Sequence, residues 1–185
     1  MQRKTMKHTH RSAEQLTGRR QGQSRSNAVS ASRLYDESLR FLDGLGVEQD
    51  LVRAFALNAE AAEFGHHDAA LAMGWFYLNG FGVERDLDLA RKWYRVSARH
   101  GDTRAMFSLG YIAYVAGEFV EALVWFRRAT EKGHHRSLYF LGRHYWRGHG
   151  VVQDRKKAMR FIHDAAVHKI EAAQRAVRFL NRKAQ

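Results

Sequence analysis

A stretch that repeats itself is the strongest constraint in this 185-residue chain. Gly44, Gly46, Val47, Asp50, Ala54, Ala62, Gly65 and Ala69 recur 36 positions later as Gly80, Gly82, Val83, Asp86, Ala90, Ala98, Gly101 and Ala105. Gly148, Gly150, Val151, Asp154, Ala158 and Ala166 return 68 positions after that second set. A shortened unit with Gly117, Ala122, Thr130 and Gly133 lies between them. Self-similarity at a period in the range of about 20–50 residues marks stacked supersecondary units, each too small to bury its own apolar face. The periods divide the chain into units over about 31–65, 66–101, 102–133 and 134–169, with a cap helix over 170–183 and a tail over 1–30.

Each unit reads as two helices. In the third, the apolar spacing predicts helices over 103–116, carrying Leu109, Gly110 and Tyr114, and over 119–132, carrying Ala122, Phe126 and Ala129. Asp50, Asp86 and Asp154 stand where a carboxylate accepts the free N–H groups of a second helix. Gly44, Gly80 and Gly148 stand where a first helix stops, and Gly65, Gly101 and Gly133 where a second one does. The fourth unit has Lys169 and Ile170 at that last position, which suits an end cap. Proline is absent, as expected of helices joined by short turns, and this argues against an all-β fold. Cysteine is absent too, which removes disulfides, thiolate metal sites and a cysteine nucleophile.

Charge is unevenly distributed. Residues 1–30 carry +6, residues 31–66 carry −4, residues 67–131 balance, and residues 132–185 carry +10. Such asymmetry steers anionic partners toward the C-terminal end and the tail. The tail has few large apolar residues, so it is expected to be disordered. It lacks the apolar core of a secretory signal and no later run could span a bilayer, so a cytoplasmic protein is expected.

The order L-G-x-x-Y, then G-x-G-V-x-x-D-x-x-x-A, then A-A resembles the Sel-one-like repeat. It is carried in the fourth unit by Leu141, Gly142, Tyr145, Gly148, Gly150, Val151, Asp154, Ala158, Ala165 and Ala166, with Gly133 and His134 opening the unit. The third unit is similar to the related tetratricopeptide repeat, through Leu109, Gly110, Gly117, Phe119, Ala122, Phe126 and Ala129. The first departs most, with Ser38 at the helix glycine, and a looser edge is expected there. The resemblance covers roughly residues 31–183. It implies an all-α, right-handed superhelical solenoid of antiparallel helix pairs acting as an adaptor or scaffold, with first helices lining a concave face and no common enzymatic activity.

Catalytic, cofactor and metal readings find no support. The G-x-G loops follow helices rather than strands and lack the third glycine of a dinucleotide cradle. Ser108 has Met106 where a nucleophile elbow needs glycine. The adjacent pairs His66–His67 and His134–His135 point different ways on a helix and do not chelate as pairs. At the recurrent position, His66 and His134 are expected to pack at helix starts.

If the relationship to tetratricopeptide repeats holds, the inward positions of the first helices make a partner-binding face. Tyr35 and Leu39, then Leu71, Trp75 and Leu78, form an apolar part. The third unit adds Arg104, Phe107, Tyr111 and Tyr114, and the fourth Arg136, Tyr139, Arg143, Trp146 and Arg147. The cap helix adds Arg175, Phe179 and Arg182. Arginine and aromatic residues dominate interface energetics because they join rigid area to directed hydrogen bonds. The expected partner is an acidic protein segment or one ending in a carboxylate, with the arginines solvent-exposed and expendable for stability. Nucleic acid is the alternative partner, through the same basic surface and the basic tail.

Overall fold

The computed structural model describes residues 27–183. The disordered tail expected over 1–30 lies outside the described residues up to position 26, and positions 27–30 already form the start of a helix. Among the described residues every regular element is an α-helix, so the all-α expectation holds. The chain divides into two compact units that meet at Asp86 and Leu87.

The first unit holds α1 (27–43), α2 (Leu51–Glu63) and α3 (His67–Asn79). Asp50 caps α2 by accepting the Arg53 N–H at 2.9 Å, and the His66 ring caps α3 by accepting the Ala69 N–H at 3.2 Å. Ser38, expected at a loose edge, is instead fully buried. Its hydroxyl donates to the Tyr35 carbonyl at 2.6 Å and accepts from Asn58 Nδ2 at 2.8 Å. This pairing offsets part of the cost of burying a serine and an asparagine, while Asn58 Oδ1 stays buried without a partner among the described residues.

The second unit holds α4 (Leu87–Arg99), α5 (Thr103–Val115), α6 (Phe119–Glu131), α7 (His135–Arg147), α8 (Arg155–Val167) and α9 (Glu171–Lys183). α5 and α6 stop one residue short of the ranges expected from spacing. Every helix from α2 to α9 has 13 residues, a length of about 20 Å at 1.5 Å per residue. Within each unit, equal rods joined by short turns pack side by side, as a repeat requires.

Small residues set the closeness of that stacking. A Cβ added to Gly110 of α5 would lie 2.8 Å from the Phe126 ring of α6, and one added to Gly142 of α7 would lie 2.5 Å from Ile162 Cγ1 of α8. Phe126, Leu141, Ala122 and Ala129 are buried between these helices. The second glycine of the later two G-x-G loops, Gly82 and Gly150, has a comparable role, whereas Gly46 has open space around it. A Cβ on Gly150 would meet the Phe119 backbone at 2.8 Å, so this loop presses on the first turn of α6 in the preceding repeat. Beyond α8 the chain reaches Lys169 with φ 61°, the left-handed conformation that Gly65, Gly101 and Gly133 supply elsewhere. The backbone geometry of the repeat is therefore kept where the glycine is not.

Candidate functional site

In the second unit, aromatic rings of α5 and α7 interleave into one face. Phe107 lies 5.5 Å from Phe140, Tyr111 5.8 Å and Tyr114 5.6 Å, all edge-on. Phe107 and Tyr114 are half-buried in this packing, while Tyr111 remains 44% exposed. Three of the expected arginines lie on the same stretch of α7, spaced seven and four apart. That spacing forms one helical stripe.

Arg136 is exposed and sits 5.1 Å over the Phe107 ring. Arg143 lies 5.1 Å over Tyr114, 5.8 Å over Phe140 and 5.9 Å over Tyr139. It was expected to be freely solvated, but this ring cluster half-buries it. Arg147 is exposed. A guanidinium laid on an aromatic face keeps the N–H donors of its edge for a planar anion. None of these three arginines forms an ion pair with a carboxylate among the described residues.

Two other expected arginines differ. Arg104 is held by the α5 cap, Asp102, at 2.6 Å, and Arg175 by Glu171 at 3.0 Å. Burial would raise the Asp102 pKa, but its hydrogen bonds from Arg104 and that residue's charge outweigh burial and hold it below the usual carboxylate range. Arg182 is exposed on α9. Trp75 belongs to the first unit, where it is 37% exposed and packs on Phe76 and Phe81 at 5.4 and 4.9 Å.

Tyr139, Arg143, Trp146 and Arg147 of α7 meet Ile162 of α8 and Ala176 and Phe179 of α9 around a pocket of about 230 Å³. Its floor is apolar and the two arginines supply the positive charge. Arg155, which spacing did not single out, stands 5.5 Å over Trp146. Sequence reasoning also missed Ile162 and Ala176.

The nearby histidines contribute little charge. Burial lowers the His144 pKa, partly opposed by the hydrogen bond its Nδ1–H donates to the His149 carbonyl at 2.7 Å. Burial, then the charges of Arg136 and His135, lower that of His134. Both rings are therefore disposed to stay neutral near pH 7, where the charges of Arg136, Arg143 and Arg147 do not titrate. His134 bonds Ser137 Oγ at 2.9 Å, and His135 stacks on His168 at 3.5 Å. Among the described residues no cluster of three or more His, Asp or Glu could hold a metal ion, and no helix is long and apolar enough to cross a membrane.

Stacked helix pairs with an aromatic and cationic face on their first helices define a helical-repeat protein of the scaffold type, a fold that is typically not catalytic. A family model described as the Sel1 repeat matches residues 38–66, 67–102, 103–134 and 135–166. The chain belongs to the Sel1 repeat family.

A sel1-like repeat-containing protein of Acanthamoeba polyphaga mimivirus is 29% identical over 73 residues, which is 40% of this chain and 14% of that protein. The chitin synthase regulator SKT5 of Malassezia restricta is 40% identical over 73 residues, 37% of this chain and 5% of that protein. The chain thus spans a small part of the length of these relatives. Two crystal structures each match 78% of this chain at 27% identity and a TM-score of 0.72. One is a protective antigen of uropathogenic Escherichia coli displaying an SLR fold, of which 32% is covered. The other is a Sel1 repeat protein from Oxalobacter formigenes, of which 60% is covered.

Proposed function

We propose that this chain is a protein-binding scaffold that captures a protein segment presenting a carboxylate beside an apolar side chain. The observation that carries this reading is the pairing, at one pocket, of an apolar floor with Arg143 and Arg147, neither of which has a carboxylate partner among the described residues. An apolar side chain would enter between Tyr139, Ile162 and Phe179, and its carboxylate would meet the edge of a guanidinium already held flat by aromatic rings. Pre-orientation lowers the entropy lost on binding. Sel1 repeat proteins are protein-interaction scaffolds, and relatives such as SKT5 are named as regulators of chitin synthase.

The test uses peptides ending in a free carboxylate after leucine or phenylalanine, the same peptides amidated, and a single-stranded DNA oligonucleotide. Arg147→Glu is the cleaner variant, since Arg143 also packs on three rings. Loss of a charge-assisted hydrogen bond of about 1.5–3 kcal/mol should weaken the free-acid peptides about 10- to 100-fold. Amidation should have a similar effect. Equal binding by wild type and Arg147→Glu would refute the reading. DNA binding that falls steeply with salt, with no peptide bound, would favour the nucleic-acid reading instead.

A further inference from the structure

Away from that pocket, three helices bring two cations onto one phenol. The Tyr145 ring of α7 is buried to 6% exposure and stacks on Phe161 of α8, with centroids 5.7 Å apart. Arg127 Nη2 of α6 donates to its hydroxyl at 2.9 Å. The Lys157 ammonium of α8 lies 4.4 Å from the ring centroid. Neither cation forms an ion pair with a carboxylate among the described residues, and the nearest acid in sequence, Asp154, uses Oδ1 to cap α8 through the Lys157 N–H. The phenol accepts from Arg127, while its own proton has no acceptor among the described residues.

We infer that Arg127, Tyr145 and Lys157 form a second anion subsite, one that takes a phosphate group. Two like charges converging without a counter-ion repel one another, and an anion seated between them removes that repulsion. The three donors differ in direction: a guanidinium edge, an ammonium and a phenolic O–H fixed by a buried ring. A tetrahedral phosphate, with three acceptor oxygens and a charge of about −1.5 to −2, matches three such donors better than a planar carboxylate with two oxygens. The Lys157 ammonium lowers the Tyr145 pKa most; burial opposes this and Arg127 adds to the lowering, as a positive local potential would do. Tyr145 follows Arg143 by two residues, about 200° around α7 at 3.6 residues per turn. The subsite is therefore separate from the carboxylate pocket and does not depend on that reading.

The experiment titrates the full chain, at constant ionic strength, with inorganic phosphate and with a short phosphoserine peptide, following the Tyr145 and Arg127 side-chain resonances. Saturable binding is expected, with at least a fivefold loss of affinity in Tyr145→Phe and in Arg127→Gln; circular dichroism checks that both fold. A peptide bound more tightly than inorganic phosphate identifies a phosphorylated side chain as the source, and equal affinities identify free phosphate. Either result supports the subsite. Absence of saturation with both probes, or unchanged affinity in two folded variants, overturns it.

Discussion

Replacing Gly142 by alanine tests whether the missing side chain sets the spacing of α7 and α8. The new Cβ would fall 2.5 Å from Ile162 Cγ1 and 3.1 Å from the Ala158 carbonyl oxygen. A rotamer change at Ile162 can relieve the first contact, but the second is backbone and moves only with α8. The cost therefore belongs in the upper half of the overpacking range of about 1–3 kcal/mol. Alanine returns about 0.5–1 kcal/mol of helix preference over glycine, leaving a net loss of about 1–2 kcal/mol. Ile162→Ala alone should cost about 2–5 kcal/mol, because Ile162 is 5% exposed in the core. In that background the shorter contact no longer exists while the one to the Ala158 carbonyl remains, so the cost of Gly142→Ala should shrink without vanishing. Urea unfolding followed by circular dichroism on the four proteins of the cycle measures the coupling, expected at about 1 kcal/mol. Additive effects within about 0.5 kcal/mol, or a Gly142→Ala protein as stable as wild type, would show that these helices are not held apart by this contact.

Lys169→Gly should raise stability by about 1 kcal/mol, read from a thermal melt, because a lysine at φ 61° carries a steric cost that glycine does not. Asp154→Ala should lower it by about 1 kcal/mol through loss of the α8 cap, with the m-value unchanged in urea. His144 has a folded-state pKa below its ordinary 6.5, so the unfolded chain binds the proton first. The stabilising contribution of the neutral ring is then complete above about pH 6.5 and declines as pH falls through that value, levelling off only below the lowered folded pKa. Melts between pH 7.5 and 5 should show a shallower decline in His144→Phe than in wild type, and parallel curves would contradict the assignment.

The repeat period, the helix pairs and most of their ends were legible in the sequence, because each depends on groups within a turn or two of one another. Asp50 and Asp154 cap the helices that follow them, and His66 caps and packs at the start of α3, as their positions implied. Arg104 with Asp102 and Arg175 with Glu171 are equally local pairs, two and four residues apart, and their spacing alone could have set them apart from the free arginines. The clustering of Tyr139, Arg143, Trp146 and Arg147 on one stripe of α7 followed from helical periodicity, but the pocket did not, since Ile162 and Phe179 arrive from other helices. Tertiary structure alone decided that Arg143 lies on Tyr114, 29 positions earlier, that Ser38 finds Asn58 across 20 positions, and that Arg127 and Lys157 meet at Tyr145. The reason is physical. Hydrogen bonds along a helix, caps and turns need only neighbours in the chain, whereas the environment of a charged side chain depends on which distant surface packs beside it. The small residues Gly110 and Gly142 set that through their shape rather than through any chemistry of their own.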